Sequence, residues 1–600
     1  MLDMPRLNVI EQYRESITAF GGLNKQLITA GGEFSAMENL TSDNFPVMSI
    51  RPQRHRINGL MNPQGIMSKE SLAWIDGADL YYNGYQVQGI SLSTEEEMLP
   101  KQMVSMGAKL CIFPDAVYVN TEKLSDCGSL NATYATPTSA AVTYTMTNLS
   151  GAEIVPEISS GEPAGTIANG AYWLDTSGET HVLKQYSASS SMWVTVATVY
   201  VRISCTGIGA DFNEGDGVRI YGAAYSDPEN VIMTKQLEAL NGSHIIKAKT
   251  DNSITVVGIL DQTYTQTDAT EFRVERKVPD MDYVTECQNR LWGCKYGVVN
   301  GETVNELYCC KLGDPTNWEV YNGIASDAWR ASVGTDGAWT GAVTYGNTPI
   351  FFKDDAMHKI YVSAEGAHQI ASASVRGVLR NASRSIAIVD EVLYYLSRGC
   401  ICAYDGSLPI SVSENLGRLD YISGVGGSSY GKYYLSAVDK ENNPHTLVYD
   451  AARKMWHEES PQNALQYAEH EGHLWYIDTS NNQLTTTNPH AGGTPEGRIS
   501  WYAESGVQGY NYPDNKYLSR FDFRMELDVG ADFELWIEYD SNGSPVPYGR
   551  ISGIGSRRTF VIPVPPRRCD HLKLIMRGTG DCKLYGIARI LEVGSDGNIY

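Results

Sequence analysis

The sequence predicts an all-β protein, a six- or seven-bladed β-propeller with an inserted β-barrel-like region and a C-terminal β-sandwich. Three observations predict it. Short aromatic or β-branched runs recur along most of the 600 residues, separated by Asp, Asn or Gly turns that suit hairpins. The anchors Ile350, Leu393, Tyr433 and Leu474 are spaced by 43, 40 and 41 residues, the length of one four-stranded blade. Composition agrees, since 57 Gly and 37 Tyr stand against 24 Pro and 20% charged residues, a balance that suits tight turns and aromatic strand faces and excludes disorder. The competing reading is a row of ordinary β-sandwich domains. A TIM barrel or doubly wound fold would need a helical pattern after nearly every strand.

Taken in order, residues 1–65 read as an N-terminal helix and extended arm. The helix falls at 8–18, with Ile10, Tyr13 and Ile17 on one face and the glycines of FGGLN (20–24) ending it. The arm carries a basic cluster, Arg51, Arg54 and Arg56 beside His55, which is a candidate interface for an acidic neighbour or else a solvated turn. Residues 66–124 hold the first blades, in the runs at 71–90 and 107–124 with their DG and PD turns. Residues 125–280 break the spacing and read as one or two β domains inserted through a blade loop, a position that tolerates long excursions because closure cost grows slowly with length. The remaining blades occupy 281–489. Residues 490–600 read as the sandwich, with alternating strands at 521–527, 531–540, 557–564, 571–578 and 583–593.

A net charge of −23 repels phosphate and excludes a global nucleic-acid grip. No apolar run is long enough for a signal-peptide core or a membrane span. Eleven scattered cysteines lack the density of a disulfide scaffold and imply free thiols in a reducing cytoplasm. Candidate chemistry is sparse. Glu534 and Glu538 share a predicted strand face, but alternating charge on an exposed strand explains them more simply than glycosidic catalysis. His470 and His473 in EHEGH miss the H-E-x-x-H spacing, and Cys309, Cys310, Cys400 and Cys402 lack a paired knuckle, so no metal ligand is assigned. SVGTDGAWTG (332–341) is an aspartate-containing turn that packs Trp339. No catalytic or cofactor-binding residue is assigned, and the chain is expected not to be an enzyme.

FGGLN (20–24), MENLTSDNFPVMSIRP (37–52), NRLWGCKYG (289–297), GDPTNWEVY (313–321) and RGTGDCKLYGIARILEVGS (577–595) resemble segments of bacteriophage tail-associated β-propeller proteins. The likeness is to tail hub or nozzle proteins and packaged-DNA-stabilisation proteins of short-tailed phages. It implies a structural virion tail protein, assembled in the bacterial cytoplasm, that self-associates into a ring and meets portal, adaptor or other tail proteins. Double-stranded DNA would then pass transiently through an acidic channel during genome ejection. Two alternatives stand beside it: a carbohydrate-binding or glycan-hydrolysing propeller of a receptor-binding apparatus, and a host-cell propeller scaffold.

Overall fold

The computed structural model describes residues 11–95, 100–137, 140–227, 229–267, 269–321, 326–362, 367–509 and 515–593. Strands dominate it. Among the described residues the single α-helix is Val231–Glu238, capped where the Asn230 side chain accepts from the Met233 amide.

Outside residues 131–277, five four-stranded sheets are built from strands adjacent in sequence, within residues 63–86, 102–129, 283–332, 341–374 and 387–411. In the last of these, Val392–Ser397 and Cys400–Tyr404 are buried along almost their whole length. Layers on both faces explain why their sequences, VLYYLS and CICAY, are continuous apolar runs rather than alternating ones.

Two further sheets recruit distant chain. Ala464–His470, His473–Asp478 and Gln483–Thr486 are joined by His55–Gly59, with Leu484 opposite Asn58, and Thr494–Pro495 lies on the far side of that strand. The strands Tyr421–Ser429, Lys432–Asp439, Pro444–Asp450 and Met455–Glu459 continue through Gly22–Leu23, Glu33–Glu38, Ser500–Ser505, Leu572–Thr579, Asp532–Tyr539 and Val546–Ser552 into one ten-stranded sheet. A six-stranded sheet, which pairs Lys516–Leu527 with Cys582–Val593 and carries Glu11–Ile17 on the latter, shares its core with the ten-stranded one. Phe521, Phe523, Phe533, Leu535 and Ile537 lie fully buried in that core.

The residues between 131 and 277 form three smaller sheets with their own cores. Their first and last strands pair with each other, Ala132 opposite Arg276, so the chain leaves and returns at one place.

These sheets correct the expected architecture. None closes into a barrel or a propeller. The 421–459 strands are one end of a ten-stranded sheet rather than an isolated blade, and the same sheet absorbs half of the expected C-terminal sandwich. The expected inserted barrel is a set of open four- and five-stranded sheets. A forty-residue spacing records repeated pairs of hairpins, a local property that does not dictate how sheets join. The expected N-terminal helix is corrected too: Glu11–Ile17 is a strand, because its pairing with Ile587–Val593 supplies backbone hydrogen bonds and packs Tyr13 and Ile17 on the core. Residues 8–10 of that expected helix lie outside the described residues.

Candidate functional site

The three arginines of the basic cluster part company. Arg51 is buried, donates to Asn39 Oδ1 at 2.7 Å and forks onto both Glu496 carboxylate oxygens. Arg54 is buried as well, 2.7 Å from Glu459 Oε2. Burial opposes its charge, but Tyr476, Glu459 and Glu496 outweigh that and hold the guanidinium more firmly protonated than usual. Around it Tyr434, Gln462, Tyr467 and Tyr476 enclose only about 10 Å³, room for a single water at most. Only Arg56 is exposed, on the strand paired with Thr485 and Thr494.

The other sequence candidates are likewise occupied. Glu534 and Glu538 do share a face, but four strand residues separate their Cα atoms by roughly 13 Å. Glu534 pairs with Arg550, and Glu538 accepts from the Gly543 amide. His470 and His473 face each other across a hairpin, bonded to Ser68 and Tyr430 respectively. Trp339 is buried against Phe351 and His358. Among the described residues no group of three or more His, Cys, Asp or Glu is placed to hold a metal ion, and all eleven cysteines are free.

A concave feature with room for a ligand lies between the 283–332 and 341–374 sheets. It is built from two hairpin turns. Gln288 and Asn289 have φ of 54° and 58°, and Gly346 and Asn347 have φ of 54° and 60°. Positive φ at both central residues is the type I′ requirement, which explains Gly and Asn here. The turns lie side by side because the strands that precede them, Tyr283–Glu286 and Gly341–Tyr345, pack together and Thr344 donates to the Glu286 carbonyl. Gln288 Nε2 donates to the Asn347 carbonyl at 3.3 Å.

Between the turns and the Ala356–Val362 strand is a cleft of about 190 Å³ lined by Cys287, Gln288, Trp292, Asn347, Thr348, Pro349, Ile360 and Tyr361. Trp292, Cys287, Pro349 and Ile360 are buried and make its floor. Gln288, Asn347 and Tyr361 are exposed on the rim, Tyr361 at 45%. Behind the floor, His368 lies 5.2 Å from the Trp292 ring and 5.4 Å from Trp329. Burial, with Arg290 nearby, lowers the His368 pKa and favours the neutral ring. Burial also raises the Cys287 thiol to about 11, with Glu286 adding to the shift, which leaves it an uncharged neighbour and not a nucleophile at neutral pH.

No lining residue carries a formal charge. The amides of Gln288 and Asn347 and the Thr348 hydroxyl offer donors and acceptors together, and the Tyr361 and Trp292 rings offer apolar faces. A second cleft of about 160 Å³, lined by Glu526, Asp528, Asp581 and Lys583 among others, is acidic, and its Glu526 already accepts from the Tyr585 hydroxyl and pairs with Lys583. Sequence reasoning missed Gln288, Asn347 and Tyr361. The turn signals around 288 and 346 were present, but nothing in the sequence brought two turns and a third strand together.

No protein-family model matches the chain, and no curated protein matches it. Three solved structures are weakly similar. An exo-β-1,3-galactanase from Phanerochaete chrysosporium is 9% identical, with 51% of this chain and 94% of that one covered and a TM-score of 0.23. A glycoside hydrolase family 43 arabinoxylan arabinofuranohydrolase from Bacillus subtilis is 10% identical, with 51% and 94% covered and a TM-score of 0.14. Phage phi92 endosialidase is 8% identical, with 82% and 71% covered and a TM-score of 0.23. Scores this low carry no argument for an activity. The expected likeness to tail hub, nozzle or packaged-DNA-stabilisation proteins is nonetheless corrected, because the matches are to unrelated β-sheet proteins and support no tail-hub or channel-forming role. The expectation that the chain is not an enzyme is withdrawn with it. Among the described residues no helix is long and apolar enough to cross a membrane.

Proposed function

We propose that the chain binds a neutral glycan in the cleft between Gln288, Asn347 and Tyr361. The observation that carries the reading is the lining: exposed amides and an exposed tyrosine over an apolar floor that includes Trp292, with no formal charge among the residues that shape it. A sugar ring presents hydroxyls at its edge and C–H groups on its faces. Amide side chains can donate to and accept from the former, and an aromatic face covers the latter. A concave, mostly apolar site with a few convergent polar groups is the general form of a small-ligand site.

Titration calorimetry with a panel of neutral and anionic oligosaccharides tests this, with reducing-end release followed in the same samples. A neutral glycan is expected to bind, and Tyr361→Ala is expected to weaken it tenfold or more without loss of fold, since Tyr361 is exposed. Binding unchanged in Tyr361→Ala and Gln288→Ala, or affinity only for anionic sugars, would overturn the assignment.

A further inference from the structure

The Cys400 thiol stands apart from the other cysteines. It opens the strand Cys400–Tyr404 after a tight turn at Arg398 and Gly399, and retains 5% exposure where Cys402 retains none. Arg376, whose residue is exposed, donates from its guanidinium to Cys400 Sγ at 2.7 Å. Tyr395 fixes the same segment by donating its hydroxyl to the Arg376 carbonyl at 2.7 Å. Cys402, two residues along the strand and therefore on the same face, places its sulfur 3.7 Å from that of Cys400.

We propose that Cys400 is a modification site, a thiolate held by Arg376 and the Cys402 thiol that reacts with small hydroperoxides. The thiolate sulfur attacks the terminal peroxide oxygen and the O–O bond breaks. Cys400 becomes a sulfenic acid and the hydroperoxide leaves as the alcohol, or as water from hydrogen peroxide, after taking a proton from solvent. Sulfur loses two electrons and the peroxide gains them.

The electrostatics agree with this geometry. The S–H of Cys402 and the guanidinium of Arg376 overcome burial and lower the Cys400 pKa below the ordinary thiol range. Burial pushes Cys287, Cys309 and Cys569 up to about 11 and Cys111 and Cys582 up to about 12. A lower pKa raises the thiolate fraction more than it reduces nucleophilicity, so Cys400 is the more reactive thiol at neutral pH.

The test treats the intact protein with equimolar hydrogen peroxide and dimedone at pH 7 and resolves adducts by peptide mass spectrometry. Iodoacetamide labelling in parallel reads thiolate character without oxidation. Cys400 is expected to be modified at least tenfold faster than Cys287 or Cys569, with the exposed Arg376→Gln substitution slowing it severalfold and Cys402→Ser, which keeps a donor, changing it less. A rate for Cys400 no higher than that of the buried thiols, or no response to Arg376→Gln, would overturn the proposal.

Discussion

Two histidines set a pH dependence that can be read residue by residue. His457 is 1% exposed and bonds Ser42 through Nε2, and His358 is fully buried between the hydroxyls of Thr335 and Ser372. Burial first, then nearby lysine, lowers them to about 3 and about 4 from the ordinary 6.5. Both folded values lie below the unfolded one, so the unfolded chain binds more protons between them. Stability is therefore complete above pH 6.5 and falls as pH drops, by about 1.4 kcal/mol per pH unit for each histidine. Urea unfolding at pH 7 and pH 5 should show that loss, and His457→Asn or His358→Gln should flatten it. The depressed carboxyls Glu496 and Asp450 add to the loss only near and below their own ordinary range, which separates the two causes. Arg54 makes a second residue-scale prediction. Arg54→Met leaves the buried Glu459 with Arg51 alone, 3.7 Å away, and should cost up to about 3–5 kcal/mol, while adding Glu459→Leu should restore part of it. A single mutant as stable as the parent would remove the pair from the list of structural ties.

At the scale of elements, close approach between sheets depends on missing side chains. Tyr421–Ser429 packs against Ala464–His470 on one side and the short 3-10 helix Ser383–Ser385 on the other. A Cβ on Gly426 would sit 2.3 Å from the Ser385 carbonyl oxygen, and one on Gly427 would sit 2.4 Å from the Tyr467 Cβ. Gly427→Val should therefore force the sheets apart and cost about 1–3 kcal/mol, read as a lower urea midpoint, whereas Gly406→Ala in an open turn should not act through packing. Hairpins were the legible part of the chain: the runs at 71–90, 107–124, 390–408 and 472–487 are paired strands with turns where the DG, PD and related signals stand. Glu11–Ile17 was misread because its apolar spacing suits a helix, while its actual partner lies almost 600 residues away.

For the whole molecule, two chain-distant pairings matter most. Leu23 opposite Trp456 and Glu33–Glu38 opposite Ser500–Ser505 weld the repeated hairpins to the C-terminal strands. We propose that they unfold together, apart from residues 132–276, which have separate cores and neighbouring ends. Replacing 132–276 by a short Gly-Ser linker should leave one cooperative thermal transition and intact glycan binding. Loss of that transition would show that the contacts from Asp216 to Asn317 and from Ser243 to Glu319 carry more than docking.

By itself the sequence determined that this chain folds into strands and tight turns, that its cysteines need no disulfide framework, and that its surface is acidic. These follow from composition and from periods of a few residues, which act within one hairpin. The tertiary structure alone decided that the sheets remain open, that Arg51 and Arg54 are buried in ion pairs, and that Gln288, Asn347 and Tyr361 surround one cleft. Each depends on pairing between segments tens to hundreds of residues apart, where register is chosen by the burial of whole faces rather than by any local signal.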